Sequence, residues 1–288
     1  MFRLKYPTEQ SDPPLSPRET LPTMYDLPSE DPEEPGLPDQ FHDFQPELLG
    51  LTFCPGSYPQ DMVFTASDLN LYYDVHHQNW HKRPDWFAVL GVPRLYDGHD
   101  LRLSYVIWQE GVNPYLVVEL LSPSTEKEDL GETEASDRNG HDLQIQKSVE
   151  KPPSKWKVYE QILRIPYYVI FSRYTNQLRV FSLQSGHYLE LSLPEQKIWL
   201  PEIELGLGLW EGEYRGIYRL WLRWYDSLGN WLPTDAERAE AAQQRAEVAQ
   251  QRAENAEQLA KSAEQRADSA EQRAEYLAQR LRELGIEP

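Results

Sequence analysis

Residues 115–125 read YLVVELLSPST. The stretch opens as a strand with an unbroken apolar run, the pattern of a strand covered on both faces rather than one lying half in water. Glu119 interrupts the run, Leu120 and Leu121 resume it, and Ser-Pro-Ser-Thr stops it. Alternation along a strand places Tyr115, Val117, Glu119 and Leu121 on one face. A carboxylate buried alone costs several kcal/mol or stays protonated. A strand that keeps one therefore supplies a partner: a cation, a metal ion or a hydrogen-bond network.

Working outward, further strand-like runs precede it: VFTASDLNLYYD (63–74), WFAVLGVP (86–93) and SYVIWQE (104–110), separated by turn residues. A short helical stretch lies near QFHDFQPELLGL. From Glu126 to Ser154 the chain turns polar and charged and reads as a loop. SKWKVYEQILRI then reads as a short amphipathic helix, with Ser154 as N-cap, Trp156, Tyr159, Ile162 and Leu163 at helical spacing, and Pro166 as its stop. YYVIFSRYT and QLRVFSL follow as a strand pair turning at Asn176-Gln177, and HYLELSL, IWLPEIELGLGLW and YRLWLRWYD continue the series. Strands, one embedded helix and more strands predict a mixed α/β layered sheet over residues 41–233.

The two ends differ in kind. Residues 1–40 are rich in Pro, Asp and Glu and cannot bury enough apolar surface to offset ordering, so an extended arm is expected there. Residues 234–288 open on a capping box, Thr234 with Glu237, and then carry Ala or Leu three and four apart from Ala242 to Leu284. That heptad seam predicts one helix of about 75 Å, at ~1.5 Å per residue. With Ala246 and Ala249 at a and d, Arg252 and Arg266 fall at g and Glu257 and Glu271 at e, the pairing a parallel homodimer uses. Alanine buries little area per layer, so the register is better specified than the stability.

With 47 acidic against 28 basic residues, the net charge is −19, which argues against a dedicated high-affinity DNA binder but not against local basic patches or bound cations. Nine Trp and seventeen Tyr supply a substantial core. No run of about 18 apolar residues is present, and the first residues lack an apolar h-region, so neither a membrane span nor a secretory signal is expected. Cys54 stands alone, which suits a reducing cytoplasm and a small buried hydrophobe.

Glu119 has candidate company. Asp85 follows a proline at the head of another apolar strand, and Lys155 and Lys157 sit on the short helix after the loop. Two carboxylates and a lysine converging from adjacent strands and a packed helix could hold a divalent cation and activate a water. The pattern RPD (83–85), VVELLSPST (117–125), Asp129, Lys155-x-x-x-Tyr159 and IPYYVIF (165–171) resembles the restriction endonuclease family of the Uma type, within the PD-(D/E)XK nuclease superfamily. The likeness covers roughly residues 40–200 and implies a restriction-endonuclease-like mixed sheet with flanking helices. It implies an endonuclease acting on DNA, with Asp85 and Glu119 as ligands of magnesium, or of manganese in its place. The superfamily lysine two positions after Glu119 is here Leu121, so Lys155, or Lys157 as the alternative, would assist the attacking water. The early-helix acid of the superfamily would be Glu47, in QPELL.

Other signals point to structure. His76, His77 and His81 lack a further ligand pattern and read as loop histidines; Asp68 and Asp74 read as turn or edge residues. The aromatics between Arg219 and Arg223 read as core-facing. The rival to a nuclease is a nuclease-derived fold that no longer cleaves and acts through its helical tail, a reading supported by the acidic charge and by Leu121.

Overall fold

The computed structural model describes residues 12–13, 39–122, 129–131 and 151–283. The arm expected over residues 1–40 and most of the polar loop expected before Ser154 lie outside them. The chain divides into two compact units, residues 1–232 and 233–288.

The first unit is built on a six-stranded sheet made of β1 (Val63–Ala66), β4 (Trp86–Leu90), β6 (Leu116–Leu120), β7 (Tyr167–Ser172), β8 (Gln177–Gln184) and β9 (His187–Glu190), in that spatial order. β6 and β7 pair in parallel, Glu119 opposite Ile170, and every other neighbour pair is antiparallel. β6 is a central strand, and it is buried at every position from Leu116 to Leu120. A three-stranded sheet pairs β2 (Leu71–Tyr72) with β3 (His81–Lys82) and β5 (Tyr105–Val106). Another joins β10 (Lys197–Leu200), β11 (Leu205–Tyr214) and β12 (Ile217–Tyr225).

Side-chain alternation divides the interior in two. Trp86, Ala88, Leu116, Val118, Leu120, Val169 and Phe171 pack with helix α1 (Phe41–Thr52) and with Leu207, Trp221 and Trp224 of the β10–β12 sheet. Phe87, Val89, Val117, Leu121, Tyr168 and Ile170 point the other way, into a cluster with Leu71, Tyr105, Val158, Tyr159 and Leu163. At about 25 cal/mol per Å² of apolar area, either cluster outweighs any single polar contact described below.

Two sequence expectations change. Residues 104–110 do not run as one strand: β5 stops at Val106, and Ile107–Glu110 form a helical turn, α2, ended by Gly111 in the left-handed region (φ 73°). The 63–74 run breaks into β1 and β2, with Asp68 in left-handed conformation (φ 52°) between them. Both breaks sit where the chain must leave one sheet for another. The embedded helix is short: α3 (Lys155–Lys157) passes at once into a π-helical turn, Val158–Ile162.

The second unit is helix α4 (Asp235–Glu283), 49 residues long. The capping box closes as expected: Thr234 N–H donates to Glu237 Oε2 at 2.7 Å, and Glu237 N–H donates to Thr234 Oγ1 at 3.2 Å. No described residue of α4 is buried. No helix among the described residues is long and apolar enough to cross a membrane.

Candidate active site

The end of β6 is where both layers and both neighbouring strands meet. β4 runs antiparallel to β6 with Trp86 opposite Val118, so Asp85 and Glu119 face each other one step beyond the last paired rung. Residues opposed across a ladder share a face of the sheet. Asp85 is tied to the strand itself, its Oδ2 accepting the Leu120 N–H at 2.6 Å. Pro84, buried just before it, fixes the entry of the chain.

Glu119 has no exposed surface. Two residues of the α3–π segment reach it from the same helical face, four positions apart. Lys155 Nζ donates to Oε2 at 3.1 Å, and the Tyr159 hydroxyl donates to Oε1 at 2.9 Å. The same ammonium lies 2.8 Å from Asp129 Oδ1. Ser154 Oγ caps the turn by accepting Lys157 N–H, and Trp156 packs edge-on against Tyr168, Phe181 and Tyr188, so the turn is anchored on both sides of Lys155. π turns recur at functional sites because the extra residue re-aims side chains.

A second approach comes from α1, on the opposite layer. His42, buried, places Nε2 3.0 Å from the Leu120 carbonyl and Nδ1 3.0 Å from Asp39 Oδ1; Asp39 also pairs with Arg173 at 2.6 Å. With Asp39 accepting at Nδ1 and a carbonyl accepting at Nε2, both ring nitrogens must donate, so the ring is an imidazolium.

Charge is held here against burial. Burial pushes Glu119 well above the ordinary carboxylate range, Asp129 and Asp85 add repulsion, and Lys155 only partly offsets them. Burial likewise raises Asp85, against the attraction of Lys155 and His42. Burial opposes charge on Lys155 too, but Glu119, Asp129 and Asp85 outweigh it and raise its pKa well above the usual lysine range. Burial disfavours a charged His42 as well, yet its bond to Asp39 and the nearby Asp85 lift it above 6.5. The site is thus short of positive charge.

The sequence candidates fare unequally. Asp85, Glu119 and Lys155 are brought together. Lys157 is not among them: its side chain is exposed, two residues and a different helical face away. Glu47 does not join them either. It lies about 140° round α1 from His42, and it pairs with Arg215 and accepts the Tyr214 hydroxyl at 2.8 Å. Leu121 packs in the apolar cluster on the Glu119 face. Sequence reading gave no part to His42 and Asp39; the signal was a His three residues after an Asp at a helix start, legible as a pair but not as a visitor to β6. His77 bonds Asp74 at 2.7 Å and stacks on Trp80, as a loop histidine does. Asp68 pairs with Arg83, and buried Arg223 donates to the Leu232 carbonyl.

The donor set can be tested against a divalent ion. No group of three His, Cys, Asp or Glu side chains among the described residues forms a ready cage. Asp85 and Glu119 nevertheless offer hard oxygen ligands in a locally acidic cluster. Magnesium is held by one or two carboxylates, retained waters and substrate phosphate oxygens. The residues present fit such an ion.

The model of the Uma2 family, described as "Putative restriction endonuclease", matches residues 18–213. The crystal structure of a putative nuclease belonging to DUF820 from Anabaena variabilis ATCC 29413 is similar at 12% identity and a TM-score of 0.34, over 55% of this chain and 70% of that one. No curated protein matches the chain.

Proposed function

The chain belongs to the Uma2 restriction endonuclease family, and from that premise we propose that it is a metal-dependent endonuclease hydrolysing DNA phosphodiester bonds. The observation that carries the reading is the meeting of Asp85, Glu119 and Lys155 at the end of β6, in a site short of positive charge.

Asp85 and Glu119 are the residues that would hold magnesium or manganese. The bound ion would supply Lewis acidity toward a phosphoryl oxygen and a lowered pKa for water. The chain's own groups do the rest. Lys155, kept cationic by three carboxylates, orients the attacking water and offsets charge developing on phosphorus. Tyr159 remains a donor, because burial and Glu119 raise its hydroxyl well above the usual range, and it fixes the orientation of the Glu119 carboxylate. His42 holds the Leu120 carbonyl, and with it the backbone between the two carboxylates. Helix α4 is read as a parallel coiled coil that makes the enzyme a homodimer.

A second reading, a nuclease-like fold that no longer cleaves, has one observation on its side. Glu119 is fully buried and both its oxygens are already engaged. A plasmid-nicking assay separates the two. The parent nicks supercoiled DNA when magnesium or manganese is added, and Glu119→Ala does not. A parent inert with both ions, or a Glu119→Ala protein as active as the parent, sinks the nuclease reading.

A further inference from the structure

Three arginines line one ridge of α1. Phe41, Phe44 and Glu47 follow at intervals of three residues, about 9 Å of helix in all. Arg219 stacks over the ring of Phe41 at 4.4 Å, and Arg173 lies 5.8 Å from it. Arg215 lies 5.8 Å from the ring of Phe44 and pairs with Glu47. Each guanidinium comes from a different place in the fold: Arg173 just past β7, Arg215 in the β11–β12 turn, Arg219 on β12. Tyr174, 54% exposed, adds an aromatic face 4.7 Å from Arg173.

Two of these cations have a carboxylate partner, Arg173 in Asp39 and Arg215 in Glu47, and three positive charges thus face two negative ones. Arg219 donates only to the carbonyls of Leu220 and Arg173, and no carboxylate pairs with it among the described residues. The buried Nε of Arg173 likewise has no acceptor among them. Burial and the neighbouring Arg173 hold the Arg219 guanidinium below its usual range, as expected of like charges pressed together. In a chain of net charge −19, such a concentration of arginine calls for an anionic ligand.

Position says which anion. β7 lies parallel to β6 with Ile170 opposite Glu119, so Arg173 stands three residues, roughly 10 Å, further along the same end of the sheet. Asp39 joins Arg173 to His42, and His42 touches Leu120, beside Glu119. The ridge thus reaches the end of β6 from the α1 layer, and the candidate site lies round that end of the sheet, on its other face. Guanidinium groups present paired N–H edges that suit phosphate oxygens, and a phosphate would compete with Glu47 for Arg215 and with Asp39 for Arg173, while Arg219 has no carboxylate to give up among the described residues.

We propose that Arg173, Arg215 and Arg219, with Tyr174, form the surface along which the phosphodiester backbone of DNA lies as it enters the Asp85–Glu119–Lys155 site. The inference rests on the nuclease reading, so binding and cleavage are measured apart. Anisotropy of a fluorescein-labelled duplex is followed in EDTA over a range of salt, for the parent, Arg219→Gln and Arg215→Gln. Each substitution weakens binding about tenfold and lowers the slope of log K against log salt by about 1, the mark of a lost phosphate contact. Arg219→Lys, which keeps the charge, retains the slope. Glu47→Gln, which releases Arg215, tightens binding about threefold, the size of effect expected of one exposed ion pair.

Affinity and slope unchanged in both Gln variants overturn the proposal. So does equal displacement of the duplex by polyglutamate, which would mark an acidic protein as the partner. Should Arg219→Gln fail to fold, Arg215→Gln decides, because its side chain is exposed and its removal leaves the core untouched. The same variants are assayed for nicking. An inert parent whose binding still depends on these arginines supports the surface and removes the nuclease reading; an active parent matched by both variants in binding and cleavage does the reverse.

Discussion

Lys155 is the residue on which the site turns. It stands between Glu119 and Asp129, with its side chain 16% exposed, and offsets in part the burial that raises Glu119. Lys155→Met removes the cation and keeps the bulk, leaving buried acids unpaired. Loss of one partner of a buried pair costs about 3–5 kcal/mol, so urea denaturation should register a drop of that size. A change under ~1 kcal/mol would mean that Glu119 is already neutral and the pair is not ionic. His42 gives a pH signature. Its folded-state pKa is raised above 6.5, so its contribution to stability is complete below 6.5 and is lost as pH rises through the folded value. Denaturation midpoints of the parent should therefore fall toward those of His42→Gln as pH rises above 6.5, and stay apart by a constant margin below it. Parallel curves across that range would refute an imidazolium at this position.

Among the elements, the α3–π segment does most to build the site, and Gly131 shows how closely it is fitted. Gly131 has φ 71°, and a Cβ added there would stand 3.0 Å from the Trp156 ring. Gly131→Ala should thus strain the backbone and push Trp156, destabilising the protein by about 1–3 kcal/mol and displacing Asp129 from Lys155. Chemical denaturation and the near-ultraviolet signal of Trp156 check both effects. What was legible beforehand follows the same logic. β6 and Glu119 could be read because an acid inside an unbroken apolar run has few explanations. Lys155 entered through the resemblance, with Tyr159 as the other half of its Lys-x-x-x-Tyr motif, and the four-residue spacing gives the two a shared helical face. Glu47 could not be judged, since α1 is apolar on more than one side and its phase depends on which sheet it meets. His42 escaped because its partner is a backbone carbonyl 78 positions away, and no residue identity encodes a carbonyl. The 104–110 run misled because Val106 and Ile107 suit a strand by propensity, whereas a chain reversal at Gly111 decides otherwise.

At the scale of the whole molecule, the proposed dimer contact is the tail. α4 carries a seam of small apolar residues with Val248, Leu259 and Leu277 each more than half exposed. Deleting residues 235–288 should convert a dimer into a monomer in sedimentation velocity; an unchanged sedimentation coefficient per unit mass would exclude the tail as the dimer contact. The parallel pairing of β6 with β7 has a consequence in time. Antiparallel neighbours such as β7, β8 and β9 are joined by short turns, but β6 reaches β7 only after a connection of roughly 45 residues, whose closure entropy must be met first. Asp129, Lys155 and Tyr159 all lie on that one connection, while Asp85 and Glu119 lie on the strands it must rejoin. During refolding the hairpins should therefore acquire their far-ultraviolet signal before the crossover docks, and assembly of the candidate site should lag behind it. A newly made chain would pass through a stage that is largely folded while Asp85, Glu119 and Lys155 are still apart.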